Sequence, residues 1–229
     1  MKDKETLNSI IGELKKHSNA ENLKGMARFG INIEKAFGIN IPILREIAKK
    51  NKNNHSLALQ LWETNLHEAC ILATMVDNPK LVTETQLENW VLDFNSWDIC
   101  DQCCANLFED TPFAYHKAME WSYRKEEYVK RAGFVMMARL AISDKKAEDA
   151  KFEPFLIRML EEAGDERNFV KKAINWALRQ TGKRSFRMNE AALATAKEML
   201  RLDPKSAKWI ATDAIRELTN ANIIKRIKH

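Results

Sequence analysis

Two stretches of the sequence repeat one another at an offset of 41 residues: Tyr128-Val129-Lys130-Arg131-Ala132 and Phe169-Val170-Lys171-Lys172-Ala173. Each stretch reads aromatic, Val, basic, basic, Ala, and the apolar pairs Met136-Met137 and Ala177-Leu178 keep the same register. A period near 40 residues with two helices per unit is typical of HEAT-type repeats. Such repeats stack into a curved solenoid with a concave binding surface.

A third copy is weaker. Ile210, Ala214 and Ile215 fall at the next offset of 41, but Thr212 and Asp213 replace the basic pair. Because only two copies are well matched, a generic helical bundle is the alternative to a repeat solenoid.

Helical patterning extends over most of the chain. Apolar residues recur at spacings of three and four, for example at Leu7, Ile10, Ile11 and Leu14. With 7 Gly and 5 Pro in 229 residues, the chain has too few turn residues for a many-stranded β-sandwich or barrel. We predict an all-α, HEAT-like solenoid of about twelve to fourteen helices, with a concave basic face and a single domain over residues 1–229.

Charge is distributed unevenly along the chain. Residues 1–120 carry 13 Lys and Arg against 17 Asp and Glu, a net −4, whereas residues 121–229 carry 24 against 15, a net +9. The C-terminal half is therefore the candidate surface for a polyanion, with a chance imbalance among solvated helix faces as the alternative. No signal-peptide pattern and no run of about 20 apolar residues occurs, so we expect a cytoplasmic protein that does not bind membranes.

The four cysteines suit reduced thiols. Cys70 stands alone, and Cys100, Cys103 and Cys104 lie close together, which is unlike a disulfide framework. Zinc would need four convergent ligands, and the nearest histidine, His116, belongs to another predicted helix. We expect these cysteines to pack as small apolar residues, and we predict no metal site and no cofactor.

The segment Ser96-Trp97-Asp98-Ile99-Cys100-Asp101 is the first candidate for chemistry. With Ser96 as the N-cap, Trp97 and Asp101 lie four residues apart on one helix face, and Asp98 falls in the first turn. For Asp98 we favour ordinary capping. An acid one turn beyond a tryptophan places an anion beside an aromatic face, an arrangement able to hold a cationic group.

The basic pairs of the repeat are the second candidate, because cations interleaved with aromatic faces suit a nucleic-acid backbone. One member of each pair, Lys130-Arg131 and Lys171-Lys172, is expected on the concave surface. A further cluster follows an aromatic residue near a helix end: Trp176, Arg179, Lys183, Arg184 and Arg187. A core position is the alternative for Trp176. The Walker, GxGxxG, GxSxG and HExxH motifs do not occur.

Several strings, in this order and spacing, resemble the bacterial DNA alkylation repair glycosylases of the AlkD type, which are built from HEAT-like repeats. They are Met26-Ala27-Arg28-Phe29, Phe37-Gly38-Ile39 to Pro42 with Leu44-Arg45, Ser96 to Asp101, Val129-Lys130-Arg131-Ala132, and Phe169 to Arg179. The resemblance implies cleavage of the N-glycosidic bond of positively charged N3- or N7-alkylated purines in duplex DNA. It therefore implies base excision repair by a hydrolase that needs no cofactor, and we expect a monomer.

The resemblance also assigns site residues. The catalytic carboxylate falls on Asp101, the sugar-contacting tryptophans on Trp97 and Trp176, and the backbone-holding arginine on Arg131. The DNA-contacting positions are expected at Phe29, Lys130, Lys171, Lys172, Arg179, Lys183 and Arg184.

Two positions depart from the family pattern: Phe29 stands where a tyrosine is expected, and Ser96 stands where a second tryptophan is expected. Phe29 can supply an aromatic face but no hydroxyl. The alternatives to a glycosylase are a HEAT-like DNA-binding protein without catalysis and a protein-binding HEAT scaffold.

Overall fold

The computed structural model describes the backbone of residues 2–227 and the side chains of residues 6–227. Within that range the regular secondary structure consists of fourteen α-helices and two short 3-10 helices, Phe108–Asp110 and Asp149–Lys151. The all-α prediction is confirmed. No helix among these residues has both the length and the apolar character needed to span a bilayer.

The chain divides into two compact units, Met1–Pro112 and Phe113–His229. The first unit holds α1 (Lys2–Lys16), α2 (Ala20–Arg28), α3 (Ile41–Lys49), α4 (His55–Glu63), α5 (His67–Val76), α6 (Glu84–Leu92) and α7 (Trp97–Asn106). The second holds α8 (Ala114–Ser122), α9 (Glu127–Ser143), α10 (Glu153–Glu161), α11 (Asn168–Thr181), α12 (Phe186–Leu200), α13 (Lys205–Leu218) and α14 (Ala221–Ile224). The expectation of a single domain stays a prediction.

In the first unit, α5 is the central helix. It packs against α3, α4 and α7, and it is buried along almost its whole length. The reason lies in its sequence, because Ala69-Cys70-Ile71-Leu72-Ala73 is an uninterrupted apolar run that can face neighbours on every side. The α7 cysteines Cys100, Cys103 and Cys104 are buried thiols that form no disulfide, as the sequence predicted.

In the second unit, the helices form consecutive pairs. α8 packs on α9, α10 on α11 and α12 on α13, while α9, α11 and α13 contact one another in sequence. The approach of α9 to α8 depends on Gly133, where a Cβ would lie 2.5 Å from the backbone nitrogen of Ser122. This arrangement confirms the prediction of a repeated two-helix unit.

The register of the third copy was predicted wrongly. α9 begins at Glu127 and α11 at Asn168, an offset of 41, but α13 begins at Lys205, which is 37 residues after Asn168. The third copy starts early because the unit of α11 and α12 before it is shorter than the unit of α9 and α10. Its two connections, 182–185 and 201–204, are shorter than 144–152 and 162–167, and its longer helices only partly offset this. In the observed register, Lys208 and Trp209 occupy the positions of the basic pair.

Candidate active site

Helix α7 begins where the sequence predicted, with Ser96 as the N-cap residue and Trp97 as the first helical residue. The Ser96 hydroxyl caps no backbone N–H and instead donates to Oδ1 of Asp98 at 2.7 Å. Oδ2 of Asp98 lies 2.8 Å from Nε2 of His67, a side chain that is 5% exposed. Both oxygens of Asp98 are thus held inside the first unit, in agreement with a structural role for this residue.

Trp97 and Asp101 lie one turn apart on α7, so their side chains are neighbours on one helix face. Nε1 of the Trp97 indole donates a hydrogen bond to the backbone oxygen of Phe29 at 3.0 Å. This bond fixes one edge of a half-buried ring, while the Phe29 side chain is 69% exposed. The structure therefore brings Phe29 and Trp97 together across 68 residues of sequence, with Asp101 one turn further along α7.

A buried carboxylate holds the loop that carries Phe29, residues 29–40. Glu68, in the first turn of α5, is 1% exposed and accepts hydrogen bonds from the backbone N–H groups of Phe37, Gly38 and Ile39. These bonds span 2.7 to 3.1 Å. The sequence analysis missed Glu68, because a contact between residues some thirty positions apart leaves no local pattern.

The same loop is also fixed by its backbone geometry. Gly38 has a φ of +78°, and a Cβ at this position would lie 2.3 Å from the backbone oxygen of Asn19. Glycine is therefore required here. The backbone N–H of His67 donates to the oxygen of Lys35 at 2.9 Å, so the loop is docked onto the first turn of α5 at two points.

In the second unit, Arg131 links two neighbouring helices. It lies on α9, is 6% exposed, and its Nη1 donates to the backbone oxygen of Phe169 in α11 at 2.6 Å. Trp176 lies two turns further along α11 and is half-buried. An indole in this state can contribute to packing and still present part of its surface to a ligand.

Lys130, adjacent to Arg131, is buried and paired with acids. Its Nζ lies 2.5 Å from Glu162 and 3.7 Å from Asp165. Burial by itself raises the pKa of Asp165, but hydrogen bonds from the Arg167 side chain and backbone outweigh it and lower the pKa below its ordinary value. Asp165 is therefore ionised, and the two ion pairs offset much of the charge of Lys130.

Arg179 and Lys183 both form ion pairs with Glu217 on α13, and Arg179 also lies 3.7 Å from Asp213. Burial raises the pKa of Glu217, but the hydrogen bonds from Lys183 and Arg179 outweigh it, and the net shift is downward. A DNA phosphate would compete with Glu217 for these two cations.

Arg184 is engaged with the backbone of its own unit. Its guanidinium donates to the oxygens of Ala141, Asp144 and Ala147 at 2.9 to 3.0 Å and stacks 3.7 Å above the ring of Phe152. These bonds satisfy carbonyls at and beyond the end of α9, where a cation is favoured by the helix dipole. DNA contact by Arg184 stays a prediction.

Lys171 and Lys172 occupy different environments. Lys172 is exposed, whereas Lys171 is half-buried and its Nζ lies 5.6 Å from the centre of the Trp209 ring on α13. Trp209 is 42% exposed, which is unusual for tryptophan. The sequence analysis missed it because the third copy was placed in the wrong register.

The surroundings of the buried cysteines favour the neutral thiol. Burial raises the pKa of the Cys104 thiol well above its ordinary value, and a hydrogen bond with Cys100 raises it further. Burial likewise raises the pKa of Cys70 to about 12. These cysteines pack as small buried residues, as the sequence predicted.

Residues 10–218 match the model of a protein family described as DNA alkylation repair enzyme. The chain belongs to this family. The match covers α7 and the three helix pairs of the second unit, so it includes every residue assigned above to catalysis or DNA contact.

Two known proteins are similar to this member of the DNA alkylation repair family. It is 25% identical over 166 residues to the uncharacterised protein Lin0241 of Listeria innocua, covering 71% of this chain and 72% of that protein. A solved structure matches with a TM-score of 0.74 and 22% identity, covering 92% of this chain and 94% of the other. That structure is described as a new family of proteins related to the HEAT-like repeat DNA glycosylases with affinity for branched DNA structures.

The structural match shows that this member of the DNA alkylation repair family has the HEAT-like repeat fold that the sequence predicted. Within the first unit of this family member, Trp97 contacts Phe29, and Asp101 lies on the same helix face as Trp97. Within the second, Arg131 and Trp176 lie on packed helices. The catalytic and DNA-contacting roles of these residues stay predictions.

Proposed function

We propose that this protein is a DNA glycosylase that excises positively charged N3- or N7-alkylated purines from duplex DNA in base excision repair. The observation that carries the proposal is the placement of Asp101 one turn after Trp97 on α7, where the indole is fixed by its hydrogen bond to the Phe29 oxygen. A fixed aromatic face beside a carboxylate is a site for a centre that becomes positive during a reaction.

The substrate itself explains why so few catalytic groups are needed. An alkylated purine already carries a positive charge, so it leaves as a neutral base and requires no general acid. As the N-glycosidic bond breaks, positive character moves from the base to the deoxyribose. Catalysis then consists mainly of stabilising this oxocarbenium-like centre more strongly than the ground state.

Asp101 is the proposed source of that stabilisation. Its carboxylate would face the sugar, where the attraction between opposite charges grows as the bond breaks. The same carboxylate can orient the attacking water. The face of the Trp97 indole would add a cation–π contribution, and the exposed ring of Phe29 would extend the aromatic surface without the hydroxyl that the family pattern supplies.

In the second unit, we assign the remaining roles on the family resemblance. Trp176 would contact deoxyribose through its accessible surface, and Arg131 would bind a phosphate while its Nη1 stays bonded to Phe169. Lys172 is the exposed member of the repeat's second basic pair and would bind the backbone electrostatically. Contacts of this kind position DNA without reading its bases.

Selectivity would arise from charge. An unmodified purine leaves as an anion unless it is protonated, and this site supplies a carboxylate instead of an acid. Normal bases would therefore gain little from Asp101 and would remain in the DNA.

A DNA-binding protein without catalysis is the second candidate. It is favoured by the similarity to a structure whose family is described as having affinity for branched DNA. The departures at Phe29 and Ser96 also favour it, because one removes a hydroxyl and the other an indole that the family pattern supplies. The two candidates differ in one measurable property, the release of free base.

The deciding experiment is single-turnover incubation of the protein with duplex DNA containing one 7-methylguanine, followed by quantification of the released base. The wild-type protein should release 7-methylguanine, and Asp101→Asn should do so more slowly by a factor on the order of 10² to 10³. DNA affinity should change little, because the substitution preserves the size of the side chain.

Asp110→Asn provides a matched control, since Asp110 is an exposed acid in the same unit outside α7. It should keep the wild-type rate. Release by Asp101→Asn at the wild-type rate would remove Asp101 from the mechanism. Tight DNA binding by the wild-type protein without release of base would establish the second candidate instead.

A further inference from the structure

Trp209, on α13 of the second unit, is an exposed aromatic residue to which neither the family resemblance nor the proposed mechanism gives a role. It is 42% exposed, although its helix is otherwise packed through Ala207, Ile210, Ala211 and Ala214. An indole of this exposure contributes less to a core than a buried one and leaves an aromatic surface open to a ligand.

The position of Trp209 in the repeat connects it to the basic pairs. In the register set by the helix starts, Arg131 on α9 corresponds to Lys172 on α11 and to Trp209 on α13. Because α9, α11 and α13 pack in sequence, these three side chains occupy equivalent places on neighbouring helices. The series thus changes from two cations to an aromatic ring.

The surroundings of Trp209 are positively charged. Lys171 lies above its ring at 5.6 Å, and the exposed residues Lys172, Lys205 and Lys208 lie on the same two helices. The nearby acids have partners of their own. Asp213 pairs with Arg216 and Arg179, and Glu166 accepts a hydrogen bond from the backbone N–H of Ser206, which together with the charge of Lys171 lowers its pKa. The ring therefore has Lys171 over its face and exposed lysines on its own helix and on the neighbouring one.

We infer that Trp209 stacks on an unpaired nucleobase of a DNA strand whose phosphates are bound by the surrounding lysines. The inference rests on the proposed function only in taking DNA as the ligand. An aromatic ring flanked by cations is the common platform for single-stranded nucleic acid, since every base offers a face for stacking and every nucleotide a phosphate.

Stacking distinguishes an unpaired base from a base pair. Inside a duplex, both faces of each base are covered by neighbouring bases, so an indole can reach only the sugar–phosphate edge. In a single-stranded extension no complementary strand holds the bases in a continuous stack, so a base can unstack and open a face to the indole. Trp209 should therefore add affinity for DNA that carries unpaired nucleotides and add little for blunt duplex DNA.

The test compares binding to a blunt duplex with binding to the same duplex carrying a single-stranded extension that contains 2-aminopurine. For the wild-type protein, the extension should increase affinity, and stacking should quench the 2-aminopurine fluorescence. In Trp209→Ala, the gain from the extension should fall by roughly 5- to 150-fold, which is the range for loss of one stacked base. Trp209→Phe should restore most of the gain and the quenching.

Lys208→Ala is the control for charge, and it should weaken binding to both DNAs to a similar extent without abolishing quenching. Release of 7-methylguanine from blunt duplex should be the same for Trp209→Ala and the wild-type protein. A wild-type protein that releases no base would contradict the proposed glycosylase activity but would leave the test of Trp209 intact. The inference is overturned if the wild-type protein gains nothing from the extension. It is equally overturned if Trp209→Ala keeps the gain in affinity from the extension. The same holds if Trp209→Ala has a native melting temperature and binds both DNAs more weakly to the same extent.

Discussion

The half-buried state of Trp97 and Trp176 decides how their roles in packing and in catalysis can be separated. A fully buried aromatic ring costs roughly 3 to 5 kcal/mol when it is truncated to alanine. Trp97→Ala and Trp176→Ala should each cost clearly less than this, because part of each ring does not contact the core. Both should nevertheless release 7-methylguanine much more slowly, since each is proposed to face the deoxyribose. Thermal melts run beside single-turnover excision measure the two effects.

Trp121→Ala serves as the reference for a core ring, because Trp121 is fully buried in α8. Trp97→Phe refines the test, since phenylalanine keeps an aromatic face but cannot donate to the Phe29 oxygen. Its excision rate should lie between those of the wild-type protein and Trp97→Ala. Destabilisation of Trp97→Ala and Trp176→Ala as large as that of Trp121→Ala would contradict the contact hypothesis for both rings.

Single residues show clearly what the sequence can predict and what it cannot. The start of α7 at Trp97 follows from a local signal, the N-cap Ser96, and was predicted. The partners of Lys130 and Arg184 were not, because they lie some 32 to 43 residues away in the sequence. The sequence identifies a lysine or an arginine as a cation. Only the packed helices show whether that cation already forms an ion pair with an acid or a hydrogen bond with a carbonyl.

At the scale of secondary-structure elements, the loop of residues 29–40 depends on one carboxylate. Glu68→Gln should destabilise the protein by roughly 1.5 to 3 kcal/mol, because an amide offers one acceptor oxygen and no charge to three backbone N–H donors. The amides of Phe37, Gly38 and Ile39 should exchange their hydrogens faster than in the wild-type protein. Hydrogen exchange measured by mass spectrometry or NMR tests this directly.

Glu63→Gln is the matched control, since Glu63 is an exposed acid at the end of the neighbouring helix α4. It should leave exchange in the loop unchanged. Because the loop carries Phe29, Glu68→Gln should also slow the release of 7-methylguanine. Exchange in the loop at the wild-type rate would show that Glu68 does not hold it in solution.

The repeat itself was predictable only where its length is constant. The 41-residue offset between α9 and α11 was predicted correctly, because the two helices carry matching residues from their first turn onward. The offset of 37 to α13 was not, since shortening a repeat by four residues moves the pattern by about one helical turn. Apolar positions then still match, and only the polar positions reveal the shift.

At the scale of the whole molecule, the two units differ in net charge. Residues 1–112 carry 12 Lys and Arg against 16 Asp and Glu, a net −4, whereas residues 113–229 carry 25 against 16, a net +9. Several cations of the second unit are already paired, including Lys130, Arg179 and Lys183. The number of phosphates that the protein neutralises should therefore be smaller than the excess of cations suggests.

The dependence of DNA affinity on salt measures that number. Each neutralised phosphate releases condensed counterions, so the logarithm of affinity should fall with the logarithm of salt concentration by roughly 0.9 per phosphate on B-form DNA. Titrations between about 50 and 200 mM salt should give a steep, linear dependence for duplex DNA.

Lys172→Ala should reduce the slope by about 1, because Lys172 is exposed. Lys130→Ala should reduce it less, since Glu162 and Asp165 already neutralise that lysine. A flat dependence for the wild-type protein would mean that its basic unit does not bind the DNA backbone and would favour a protein-binding scaffold.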